Sequence, residues 1–239
     1  MCGRVVAARA RDLLAAELGV DDVVGPDLGL RWNVAPTDLL YAVVGRRLGT
    51  MTWGLVPSWA KDPASGPRPI NARVESLLDR PHFAGALANR RCLVPVDGFY
   101  EWGPGPNGVR RPHFLAPADG SVLAIAGVWD RWCGPDTQPL GPSGPLSGAM
   151  VSCAVVTTEA NGDVASLHDR MPACLARGDW DEWLDPANRD DIGLLDLLRS
   201  TPPARLVSRP VSRLVNSTAN DGPELLGDPE TEPPTLFPV

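Results

Sequence analysis

Five short apolar runs, each bounded by glycine or proline, limit what this chain can fold into. They occupy 39–44 (LLYAVV), 50–55, 91–99, 121–129 and 150–157. Runs of this length, rich in β-branched residues and cut by turn formers, read as strands, and 24 glycines and 26 prolines supply the punctuation. Helical spacing is confined to shorter pieces. Leu13, Leu14 and Leu18 define a helix over 10–18 that closes at Gly19. Residues 178–184 and 189–199 also read as helical, with Asp179 and Glu182 spaced as a capping box. The segment 70–79 reads as a short helix or turn with its limit at Pro81. Strands dominating over scattered helices imply an α+β fold, a single domain built on a mostly antiparallel, curved sheet.

Two stretches fall outside this pattern. Residues 133–148 (CGPDTQPLGPSGPLSG) are expected to form an exposed, flexible loop between two strands. Residues 221–239 are acidic and proline-rich, and a tail with little structure is expected there, after a domain spanning 1–220.

With 239 residues, 44% of them hydrophobic and 21% charged, the chain has the composition of a soluble globular protein with a sizeable core. No apolar run reaches membrane-spanning length and the start lacks a signal peptide, so a cytoplasmic protein with no membrane partner is expected. Cys2, Cys92, Cys133, Cys153 and Cys174 are an odd, scattered set without a C-x-x-C pair, which argues against a disulfide framework and against a metal site. The net charge of −7 does not advertise a nucleic-acid partner, although the acidic tail supplies much of it. Lys61 is the only lysine; every other basic residue is arginine, which binds phosphate bidentately.

The most reactive feature is the start itself, Met1-Cys2-Gly3-Arg4. Trimming of Met1 leaves Cys2 with a free α-amine and a thiol, whose reference pKa values are about 7.7–8.0 and about 8.5. An aldehyde meeting this pair forms a Schiff base at the amine, which the thiol closes into a thiazolidine. The competing reading is an ordinary small buried cysteine.

Further polar clusters interrupt the apolar pattern: Asn71-Ala72-Arg73-Val74-Glu75, Gly98-Phe99-Tyr100-Glu101-Trp102 and His168-Asp169-Arg170-Met171-Pro172. Each alone has a structural explanation. Together with M-C-G-R, R-W-N-V-A-P-T at 31–37, W-G-L-V-P-S-W at 53–59 and V-N-S-T-A-N-D-G-P-E-L near the end, they resemble, in order, the SRAP (SOS response-associated peptidase) family from Cys2 to about Asn220.

That resemblance implies a curved, barrel-like sheet with peripheral helices. It also implies covalent capture of abasic sites in single-stranded DNA through Cys2, which protects the lesion. Glu101, His168 and Asn71 match the family's active-site positions. Glu101 is expected to move protons and to support β-elimination, a lyase side activity. His168 is expected to protonate the sugar oxygen and Asn71 to orient the cysteine or the sugar. Arg4 and Arg73 are the phosphate-binding candidates, Trp59 and Trp53 the stacking candidates, with Trp53 nearer the core and Trp59 nearer the site, and Met171 and Pro172 the wall or wedge. His82 and His113 lie outside the motifs and are taken as structural. No cofactor is implied, a monomer is expected, and the protein would be nucleoid-associated when bound to DNA. The rival reading is an N-terminal-nucleophile thiol peptidase or amidohydrolase, in which the thiolate attacks an amide. A weaker third is a non-covalent binding module with an inert Cys2.

Overall fold

The computed structural model describes residues 2–64, 66–105, 108–134, 138–139, 146–147, 149–199 and 204–229. In chain order the elements begin with β1 (Val5–Ala7), α1 (Arg11–Leu18), β2 (Asp22–Val23), β3 (Arg31–Val34), β4 (Leu39–Val44), β5 (Arg47–Trp53) and β6 (Asn71–Arg73). Next come α2 (Pro81–Asn89), β7 (Arg91–Val96), β8 (Gly98–Gly103), β9 (Arg111–Pro117), β10 (Leu123–Trp132), β11 (Gln138–Pro139) and β12 (Leu146–Ser147). The last are β13 (Met150–Glu159), β14 (Arg170–Pro172), α3 (Trp180–Leu184), α4 (Asp191–Arg199) and β15 (Leu206–Pro210).

Five of these strands close a barrel. β13, β10, β7, β4 and β5 pair in that order through antiparallel ladders. A short parallel ladder from β5 to β13, Thr52 to Ser152 and Trp53 to Cys153, shuts the ring. The two-residue period of the strands sorts their side chains. Leu40, Ala42, Met51, Trp53, Val94, Ile125, Cys153 and Val155 fill the interior. Tyr41, Val43, Leu48, Leu93, Val128 and Val156 face outward, where all four helices cover them with Leu14, Phe83, Leu87, Trp183 and Leu194. Both faces of most of β4, β7, β10 and β13 are therefore buried, which is why these strands read as apolar runs.

A second, five-stranded sheet has the order β15-β9-β8-β1-β3. The run 91–99 feeds both sheets, because the chain leaves the barrel at Asp97, whose carboxylate accepts the Ala8 N–H and the Arg9 Nε–H, both at 2.6 Å. β1 lies between β8 and β3, with Val5 opposite both Phe99 and Val34. Two further strands flank the second half of β13: β6 on one edge, with Asn71 opposite Val155, and β14 on the other, with Pro172 opposite Thr157.

Arg91 is 3% exposed and its guanidinium donates to the carbonyls of Leu87 and Ala88, at the end of α2, and of Trp183, at the end of α3. Two helix C-termini thus share one buried cation, which satisfies carbonyls that have no partner within their helices.

Several expectations are corrected. Pro81 opens α2 instead of ending an element, because its fixed φ and missing N–H suit the first helical position. The segment 70–79 divides into β6 and a 3₁₀ turn, Val74–Ser76. Asp179 makes no side-chain capping bond, since α3 grows directly from a 3₁₀ turn at Arg177–Asp179. In the expected loop 133–148, β11 and β12 pair as a two-stranded ribbon; 135–137, 140–145 and 148 lie outside the described residues. The expected tail is folded as far as it is described, to 229. Asp221 accepts the backbone N–H groups of Trp32 and Asn33 at 2.6 and 3.0 Å, and Leu225 is fully buried. Residues 230–239 lie outside the described residues. Among the described residues no helix is long and apolar enough to cross a membrane.

Candidate active site at the first residues of the chain

β1 delivers the chain start to the seam between the two sheets. Val5 faces Phe99, and the Tyr100 N–H donates to the Arg4 carbonyl at 2.9 Å, so the antiparallel path carries the residues before Arg4 alongside Glu101. Cys2 is fully buried in the same apolar cluster as Val5, Trp53, Phe99, Val155 and Met171. The Asn71 amide donates to the Cys2 carbonyl at 2.8 Å, which pins the N-terminal residue to the start of β6.

Burial pushes the Cys2 thiol far above its ordinary value. The Glu101 carboxylate and the buried Cys174 thiol push the same way, against the N-terminal ammonium and a backbone bond from Arg4. The sulfur therefore rests as a thiol. Glu101 is 3% exposed. Gly103, two residues on, is where the His168 turn comes down on β8: a Cβ at that position would collide with the Leu167 side chain.

His168 is half-buried. Its Nδ1 lies 2.9 Å from the Arg170 N–H. Asp169 Oδ1 lies 2.7 Å from the same Nδ1. The His168 turn is tied to the Asn71 strand by Arg170, whose guanidinium binds the Glu75 carboxylate at 2.8 and 2.9 Å and the Thr157 carbonyl at 2.7 Å.

The predicted binding residues divide. Arg73 is exposed beside Asn71, and Trp59 is 61% exposed. Arg4 is turned inward: its Nη1 donates to Asn33 Oδ1 at 2.6 Å and to the Val215 carbonyl at 2.7 Å, and its guanidinium lies over the Trp102 ring. Trp53 is fully buried with its Nε1 donating to the Ile70 carbonyl, so it is a core residue and has no face to offer a base. Met171 and Pro172 are buried in β14, and neither presents a surface that can wedge into a strand.

Three residues near the site had no part in it in the sequence reading, which took His113 as structural. Thr157 continues the inward alternation of Cys153 and Val155, and its hydroxyl is buried without a hydrogen-bond partner among the described residues. Its signal was a lone polar residue at an inward position of an apolar strand. His113 stands directly across from Glu101 in the β8–β9 ladder, where burial pushes it toward the neutral form. Cys174 packs in the Cys2 cluster. Among the described residues no group of three or more His, Cys, Asp or Glu is placed to hold a metal ion.

The family model for SOS response associated peptidase (SRAP) matches residues 1–218. This chain belongs to the SRAP family. Abasic site processing protein YoqW of Bacillus subtilis is 33% identical over 231 residues, covering 95% of this chain and 99% of that protein. Abasic site processing protein HMCES of Gallus gallus is 34% identical over 207 residues, 76% of this chain and 57% of that protein. A protein of Bacteroides thetaiotaomicron solved by crystallography shares the fold with a TM-score of 0.80 at 22% identity, over 94% of this chain and 98% of that one. Three SRAP motifs meet at the seam, M-C-G-R, I-N-A-R-V-E and G-F-Y-E-W bringing Cys2, Asn71 and Glu101 together, and Leu167, next to His168, packs against the same cluster.

Proposed function

We propose that this protein captures abasic sites in single-stranded DNA as a covalent thiazolidine on Cys2, once Met1 has been removed, and so shields the lesion. The observation that carries the reading is the placement of Cys2, held through its carbonyl by Asn71 and electrostatically coupled to Glu101. Relatives of matching length are named for abasic site processing, which supports the same substrate here.

The ring-opened sugar presents an aldehyde. The α-amine of Cys2 adds to its carbon and water leaves, giving an imine; the thiol then adds across the C=N bond, forming the C–S bond and returning a proton to nitrogen. The net change is the loss of one water. A sulfur held as a thiol suits this order, because the amine acts first and the thiol closes the ring. Glu101 shuttles the protons of both steps and, by favouring the ammonium, restrains the amine before substrate arrives. The same carboxylate supports β-elimination as a lyase side activity. His168 protonates the sugar oxygen during ring opening. Arg73 binds phosphate and Trp59 stacks on a base, whereas Arg4 orients the N-terminal strand.

Intact-protein mass spectrometry after incubation with a single-stranded oligonucleotide holding one abasic site tests the reading. The expected product is protein without Met1 plus oligonucleotide minus one water, absent in Cys2→Ala. A denaturant-stable adduct of equal yield in Cys2→Ala, or no adduct when Met1 is gone, would remove it.

A further inference from the structure

β5 changes partner along its length. Arg47 and Leu48 pair with β2, whereas Thr52 and Trp53 pair with β13. Gly49, Thr50 and Met51 pair with neither, and there the barrel opens into a cavity of about 640 Å³. This mouth lies away from the Cys2 site. Val151 in its wall stands four residues before Val155, the ladder partner of Asn71, a separation of about 13 Å along β13.

The inward alternation of the strands makes the wall apolar. Ala42 and Met51 belong to the barrel interior, and Val44, Trp129 and Val151 pack against that interior at its edge. Charge is confined to the rim. Arg46 binds Asp21 at 2.5 Å and Arg47 binds Asp22 at 2.6 Å, so both of these arginines are neutralised. Arg131 is exposed, lines the same cavity and forms no ion pair among the described residues. The Trp129 Nε1–H is shut off from water and has no acceptor among the described residues.

A cavity of this volume has the size that holds an independent small molecule, and the mouths of barrels are preferred places for one. Aliphatic side chains and one indole form a wall suited to an apolar ring. The two polar groups without partners are both donors, and one of them is a cation, so an anionic acceptor completes them. We infer that the mouth of the barrel is a second binding site, for a small molecule that joins a flat apolar ring to one carboxylate. The ring lies against Trp129, Met51 and Val151, and the carboxylate meets Arg131. Three arginines and two aspartates line the cavity, an excess of one positive charge that matches a single carboxylate. The inference is independent of DNA as the substrate of the Cys2 site.

The test titrates the full-length protein with 2-naphthoate and with its neutral analogue 2-naphthamide by isothermal titration calorimetry. Wild type is expected to bind one equivalent of 2-naphthoate with a Kd on the order of 0.1 mM, and the amide about fivefold more weakly. In Arg131→Gln, at an exposed position, the two ligands bind alike, at the affinity wild type has for the amide. Val151→Trp fills the mouth and weakens both ligands about tenfold or more, with thermal unfolding recorded so that loss of the site is read apart from loss of the fold. Cys2→Ala binds both as wild type does, since its side chain belongs to the other end of the barrel. Absence of binding by wild type, a preference for the carboxylate that survives in Arg131→Gln, or binding that Cys2→Ala abolishes overturns the inference.

Discussion

The Arg170 guanidinium grips the Glu75 carboxylate through two parallel hydrogen bonds of 2.8 and 2.9 Å, and so joins the strand that holds Cys2 to the turn that carries His168. Arg170 is 8% exposed, whereas Glu75 is about half exposed, and the third bond of Arg170 goes to the Thr157 carbonyl between them. Two motifs separated by nearly a hundred residues are thereby set in one frame. The pair positions the chemistry without touching it.

Removing Arg170 strips a buried donor from both Glu75 and Thr157, so Arg170→Met is expected to cost about 2–3 kcal/mol, less than a fully buried pair because Glu75 reaches water. Glu75→Gln is expected to cost on the order of 1 kcal/mol or less after solvent screening. Burial raises the Glu75 carboxyl, but the bonds and charge of Arg170 outweigh it and hold the group below its ordinary value. A depressed carboxyl stabilises the fold above its unfolded-state value, and that contribution fades as pH falls through the folded one. Urea unfolding of wild type and Glu75→Gln should therefore differ at about pH 7 and converge near pH 3. A gap that persists at low pH rules the linkage out.

The closing segment supplies a second prediction. Asp221 accepts two backbone N–H groups and pairs with Arg31, while Asn33 donates to the Ser217 and Asn220 carbonyls at 2.9 and 2.7 Å. Charge-assisted bonds of this kind are worth about 1.5–3 kcal/mol. Asp221→Ala should lower stability by about 2 kcal/mol, measured as a shift of the urea midpoint at constant slope. A surface-like change under 0.5 kcal/mol means that the segment is not locked onto β3.

How much of this was legible in the sequence follows from what each residue touches. β4 and β13 read directly because both of their faces are dry. β1, β3 and β9 are short or carry polar residues such as Arg31 and Arg111, and they declare themselves as strands only once their neighbours are in place. Cys2, Asn71, Glu101 and His168 are singled out by the motifs that surround them, and the fold sets Asn71 and Glu101 beside Cys2. The inward turn of Arg4 was not legible, because its partners lie 29 and 211 residues away. Trp53 and Trp59 sit in one motif, and the expected division, Trp53 toward the core and Trp59 toward the site, matches their burial. The acidity of 221–229 masked a segment whose Asp221 accepts two N–H groups of β3 and whose Leu225 is core.

Cysteine reactivity separates the buried Cys2 from an accessible thiol. Cys133 is exposed, while Cys2, Cys92, Cys153 and Cys174 are buried. Burial pushes Cys174 up to about 12 and Cys2 further, and alkylation requires the thiolate. Iodoacetamide near neutral pH should label Cys133 first, with peptide mapping finding the other four unmodified in the folded protein. Cys2 labelling as fast as Cys133 contradicts a buried, protonated sulfur.

The two tryptophans of W-G-L-V-P-S-W should fail in opposite ways. Trp53 fills the barrel interior at the parallel closure of β5 on β13, so Trp53→Ala leaves a cavity among Cys2, Cys153 and Val155 and is expected to cost about 3–5 kcal/mol. Trp59 touches little beyond His82, and Trp59→Ala should change stability by less than about 0.5 kcal/mol. Its loss should instead appear in DNA binding, by about 1–3 kcal/mol for one stacked base. The measurement pairs thermal unfolding with affinity for an oligonucleotide carrying a reduced, unreactive abasic site, so that encounter is read apart from crosslinking. If Trp59→Ala binds as tightly as wild type, base stacking at this position is wrong, and the phosphate contacts of Arg73 must hold the strand without it.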